Sequence, residues 1–164
     1  MNRSTRLLAL LAAIALPSVA GAQSITGSIS ATADIATVFS FGAPSALSFG
    51  SVTPGTAATG SGYIPLSRNV GVIYSLPDGA TTGELTGPGG ILQPSYTCGV
   101  GATNAAIVSA FTNCNTNLAN QLTLAAPAGL LLEYVIFNGS LTAGQTNIEP
   151  GTYSGTIRVT ATPN

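Results

Sequence analysis

The feature that most constrains this chain is a period of two. In the closing segment Tyr153, Ile157, Val159 and Ala161 fall on one side, with Gly155 between them. Thr152, Ser154, Thr156, Arg158, Thr160 and Thr162 fall on the other. Successive side chains of a strand point to opposite faces, so this alternation predicts a strand with one buried face. A Thr-rich outer face suits a strand and needs no charge. The same pattern opens the chain after its leader. Ile25, Ile29, Ala31, Ala33, Ile35, Phe39 and Phe41 alternate with Thr26, Ser28, Ser30, Thr32 and Asp34. Leu47, Phe49 and Ser51 continue it to a turn at Thr53-Pro54-Gly55.

Between these ends the chain reads as strands punctuated by turns. The Gly/Thr/Ala-rich stretch Gly55 to Gly62 reads as a loop. Val70, Val72, Tyr74 and Leu76 alternate with polar residues and Ile73 up to a turn at Pro77-Asp78-Gly79. Gly87-Pro88-Gly89-Gly90 is a second turn. Ile91 to Cys98 is placed at an edge or bulge by Pro94, which cannot donate to a ladder. Ala102 to Phe111 suits a short helix or a strand equally. Leu118 to Ala125 and Leu130 to Phe137 read as strands joined through Pro127-Ala128-Gly129. The second is apolar on both faces apart from Glu133, so it is expected to be central, with Glu133 facing solvent or paired with Arg68 or Arg158. Asn138-Gly139 reads as a hairpin turn, although Asn138-Gly139-Ser140 also matches a glycosylation acceptor. About seven or eight strands at this spacing predict an all-β fold, an antiparallel β-sandwich.

The first 22 residues have a different character. Arg3 and Arg6 precede the apolar run Leu7 to Leu16, and Ala20-Gly21-Ala22 is a small-residue cleavage site. This is the pattern of a secretory signal peptide, with a run too short for the roughly 20 residues of a membrane span. Cleavage between Ala22 and Gln23 is expected to leave residues 23–164 as a single exported domain, located in the periplasm, at the cell surface or outside the cell. No later apolar stretch is long enough for a helical span.

Composition then narrows the chemistry. Of 164 residues, four are Lys or Arg, five are Asp or Glu, and none is His. At 5% charged, the chain is far below the roughly 25% of ordinary soluble domains. Without His or Lys there is no Ser-His-Asp, Cys-His or Ser-Lys set. The carboxylates Asp34, Asp78, Glu84, Glu133 and Glu149 are scattered rather than paired. The basic footprint that nucleic acid requires is missing. The expectation is a protein that is not an enzyme and has no cofactor, no metal site and no nucleic-acid partner.

Cys98 and Cys114 are the only cysteines. In an exported chain an even pair reads first as a disulfide. A redox dithiol would be a C-x-x-C pair, which this spacing is not.

Two stretches resemble a known group. They are LSFGSVTPG, Leu47 to Gly55, and SLTAGQTNIEPGTYSGTIRVTAT, Ser140 to Thr162. Together they resemble the bacterial secreted family called domain of unknown function 4402. The closing stretch is also similar to the spore coat protein U group, which includes archaic chaperone–usher pilin-like proteins. That group usually carries a Cys in its first strand region, whereas both cysteines here lie mid-chain. The resemblance implies an immunoglobulin-like sandwich with a surface or fimbrial role, and it carries over no catalytic residue.

Two functions follow as expectations. In the first, the protein is structural and assembles at the cell surface as a pilin-like subunit. Ile25, Ile29, Ala31, Ala33 and Ile35 would be donated as a strand to a neighbour, through self-association or related surface subunits handled by a periplasmic chaperone. The alternative for this segment is an ordinary first strand paired within its own domain. In the second function, the protein is a secreted binding module that holds carbohydrate or another surface ligand on Tyr-bearing loops.

Overall fold

The computed structural model describes residues 30–76, 83–111, 114, 121–143 and 149–164. The fold is all-β and antiparallel. Ten strands are formed among the described residues: β1 (Phe39–Phe41), β2 (Ala58–Arg68), β3 (Val72–Ser75), β4 (Leu85–Gly87), β5 (Gly90–Leu92), β6 (Ser95–Gly101), β7 (Ser109–Ala110), β8 (Gln121–Leu124), β9 (Leu131–Leu141) and β10 (Thr160–Pro163). One sheet has the order β1-β2-β9-β6-β7, a second the order β10-β3-β8, and β4 and β5 form a hairpin.

The core lies between the two larger sheets. Inward residues of the first are Leu66, Val135, Phe137, Cys98 and Val100, and those of the second are Val72 and Tyr74; all are buried in one cluster. The alternation read from the sequence sets these faces. Leu66, paired with Glu133, and Ile64, paired with Val135, point inward; Tyr63, paired with Ile136, points outward. β9 is central, as its two-sided apolar pattern predicts, and is paired along its length by β2 and β6. The turn Gly87 to Gly90 closes the β4–β5 hairpin. Ile91 to Cys98 is not one edge strand: Pro94, which lacks a backbone donor, separates β5 from β6, and β6 lies between β9 and β7.

Several expectations are corrected. The stretch Gly55 to Gly62 is not all loop, because β2 begins at Ala58. Its small residues serve a close approach: a Cβ on Gly62 would lie 2.7 Å from the Leu47 backbone nitrogen. Asn138-Gly139 is no hairpin turn. Asn138 pairs with Ser61 on one side and Thr97 on the other, in mid-strand. Ala102 to Phe111 forms no helix; it folds back on β6, with Val108 N donating to Val100 O and Phe111 N to Cys98 O. The strand expected from Tyr153 to Thr162 has its ladder only from Thr160, although Tyr153, Ile157, Val159 and Ala161 keep the inward side.

The opening segment also differs. The sandwich unit begins at Ile35. Residues 30–38 belong to no strand, and β1 is confined to Phe39–Phe41. Ala31, Ala33 and Ile35 are exposed, Ile35 to 88%. Ala22, Gln23, Ile25 and Ile29 lie outside the described residues, as does the turn Pro77-Asp78-Gly79.

Candidate functional site

The two sheets are locked together at one end by a buried ion pair. Arg68 ends β2 and Glu133 lies on β9, so adjacent strands of one sheet bring them to the inner face. Arg68 Nε donates to Glu133 Oε1 at 2.5 Å and Nη2 to Oε2 at 3.1 Å, a two-pronged contact between groups that are both buried. Arg68 Nη1 also donates to the carbonyls of Val70 at 2.7 Å and Ala125 at 2.9 Å. From the opposite sheet, the Tyr74 hydroxyl donates to Glu133 Oε1. Burial, and then the Glu133 carboxylate beside it, push the Tyr74 pKa upward, so the phenol stays protonated as a donor. Five donor–acceptor contacts satisfy the pair, as burying two charges requires. This cluster answers the question that Glu133 posed in the sequence: it pairs with Arg68. It presents no open face to a substrate.

The disulfide Cys98–Cys114 is the second internal brace, with a Cα–Cα distance of 5.8 Å. Both cysteines are buried. The bridge holds the segment after β7 to β6, where Phe111 stacks edge-on against Tyr74 at 6.3 Å.

Among the described residues, the opposite end of the sandwich is open. Residues 42–49 leave β1 along the edge of β2, tied by Gly42 N to Pro65 O and by paired bonds between Ser45 and Tyr63. Beyond that they cross Gly60 and Gly62, and Leu47 and Phe49 turn toward the core without being sealed in it. The facing lip is residues 149–157. It is held by Ser154–Thr86 and Gly83–Thr156 backbone bonds and by the Tyr153 hydroxyl, which donates to Glu149 O and accepts from Gly89 N.

Between the lips lie two adjoining cavities of about 660 Å³ and 270 Å³ that share Leu47, Leu85 and Gly155; together they are called the seam. Its apolar floor includes Leu92, Leu141 and Phe137. Leu47 to Gly55 lines one wall and Glu149 to Gly155 the other. Neither stretch reveals this alone, because the alternation shows which residues face inward and not whether anything covers them.

The remaining candidate groups are dispersed. Among the described residues, no three His, Cys, Asp or Glu side chains cluster as metal ligands. Glu84 accepts from Gln93 Nε2 at 2.9 Å, Glu149 is exposed on the seam lip, and Asp34 is exposed. Tyr74 and Tyr96 are buried, whereas Tyr63, Tyr134 and Tyr153 are half-buried. No helix among the described residues is long and apolar enough to cross a membrane. Comparisons with known families, curated proteins and solved structures return no match.

Proposed function

We propose that this is an exported structural protein of the cell surface, an immunoglobulin-like, pilin-like subunit that assembles by strand donation. The open seam carries this reading. Two adjoining clefts between partly paired lips, with Leu92, Leu141 and Phe137 at their floor, offer room for an added strand. A strand added there would pair with backbone along the lips and bury alternate side chains, which is how strand addition combines affinity with register. The occupant is the N-terminal segment of a second copy. In this segment Ile25, Ile29, Ala31, Ala33 and Ile35 alternate with polar residues, and Ala31, Ala33 and Ile35 lie exposed outside any strand. The leader pattern of residues 1–22, the disulfide and the resemblance at Leu47–Gly55 and Ser140–Thr162 support export and the same class of protein.

The test separates donor from acceptor. Ile29→Lys with Ile35→Lys disables donation, and Leu47→Lys disables the seam. Size-exclusion chromatography with light scattering should show oligomers for the parent protein and monomers for each variant. Mixing the two variants should restore a 1:1 dimer, since each keeps the part the other lacks. A parent protein that stays monomeric, with residues 25–35 protected from hydrogen exchange, would overturn the reading.

A further inference from the structure

The outward face of the first sheet contains a feature that the seam does not use. Across β2, β9 and β6, Thr59 lies opposite Ser140, which lies opposite Ser95. One step along the same face, Ser61 lies opposite Asn138, which lies opposite Thr97. All six are exposed, and they line a shallow depression of about 460 Å³. Strand geometry spaces them about 4.8 Å across the sheet and about 6.7 Å along it. One step further on this face Tyr63 lies opposite the buried Ile136, and beyond it Tyr134 lies opposite Pro65; the half-buried rings of Tyr63 and Tyr134 meet edge-on at 5.5 Å at the border of the depression. No charged residue stands on the outward face of β2 from Thr59 to Pro65, of β9 from Tyr134 to Ser140, or of β6.

Strand stability accounts for Thr59 and Thr97 on this face but not for Asn138. Asn is depleted in strands, and Asn138 stands in the middle of a central one. The neighbouring Gly139 has a packing reason, because a Cβ there would lie 2.6 Å from the Phe49 ring. Asn138 faces the other way, and no such packing accounts for it. A local rule broken without a structural gain marks a functional position.

We propose that this face binds a neutral polysaccharide. Hydroxyls and a carboxamide offer both donors and acceptors, as a sugar's hydroxyls require, and Tyr rings offer apolar surface to its C–H faces. An anionic chain would find no countercharge on this face. The Tyr residues involved stand on strands, not on the loops expected from the sequence.

The probes are dextran and a soluble β-glucan in native affinity gels, with alginate as the anionic control. At least one neutral polymer should retard the protein. Tyr134→Ala and Asn138→Thr should each weaken retardation about tenfold. Thr is the better strand former, so Asn138→Thr keeps the fold, which unchanged circular dichroism would verify. Leu47→Lys should leave retardation intact, which separates this surface from the seam. Retardation by alginate alone, by no polymer, or undiminished in Asn138→Thr would overturn the proposal. So would loss of self-association in Asn138→Thr without any change in glycan retardation, because the face would then be a contact between copies.

Discussion

The two ends of this sandwich are built from the same strands and finished in opposite ways. At one end β2 and β9 carry Arg68 and Glu133, and Tyr74 and the Ala125 carbonyl reach across from the other sheet to complete the cluster. At the other end the same two strands carry Gly60, Gly62 and Gly139, and the space above them is only partly filled by Leu47 and Phe49. The difference separates a region that closes the fold from one where, among the described residues, hydrophobic surface is left uncovered.

The sharpest way to break the closed end is Glu133→Ala. It leaves the Arg68 guanidinium buried without its partner, which costs about 3–5 kcal/mol. Urea unfolding should show the loss. Arg68→Met with Glu133→Leu and Tyr74→Phe should recover most of it, because apolar side chains of similar volume replace a buried pair at little cost once the Tyr74 hydroxyl that donates to it is also removed. If the single variant proves as stable as the parent, the cluster is not the lock described here.

Cys98→Ala with Cys114→Ala tests the second brace. Releasing a loop of this length should cost about 3 kcal/mol in the chain-entropy model. The loss should appear in the thermal midpoint, with hydrogen exchange rising first at Ser109 and Ala110, which form a two-residue edge strand.

How far the sequence showed these two ends depended on the type of signal. The alternation in Val70 to Leu76 and the two-sided apolar pattern of Leu130 to Phe137 are read directly, since both depend on local geometry and burial. Asn138-Gly139 misleads because its local preference is a turn, while pairing on both sides holds it extended. The opening alternation shows a face that needs a partner, but alternation is silent on which chain supplies it. Glu133 stands out in an apolar run, yet its choice of Arg68 over Arg158 depends on register, which no local pattern contains. The seam is a property of what fails to meet, and it becomes visible only in three dimensions.

At the open end, stability and assembly should separate. Phe49 is only half-buried, so Phe49→Ala should cost the isolated chain less than the roughly 3–5 kcal/mol of a fully enclosed Phe, about 1–2 kcal/mol. Its effect on oligomer formation should be much larger than its shift in urea midpoint. Equal effects on both would mean that Phe49 acts as ordinary core.

The smallest effect is an ordering of the two ends by pH. Tyr96 lines the seam, and its hydroxyl donates to Gly83 O. Burial pushes its pKa up to about 12, whereas an unfolded Tyr titrates near about 10. The folded state therefore holds this proton when the unfolded state releases it, and stability falls as pH rises from about 10 to about 12. Below about pH 10 the contribution is fully present. Tyr74 at the closed end is shifted further in the same direction, so its ionisation comes later. Tyr96→Phe should flatten the decline in urea midpoint between pH 10 and 12, and hydrogen exchange in that window should rise near Gly83 before it rises on β3. Loosening on β3 first would reverse the assignment of which end of the sandwich is the weaker.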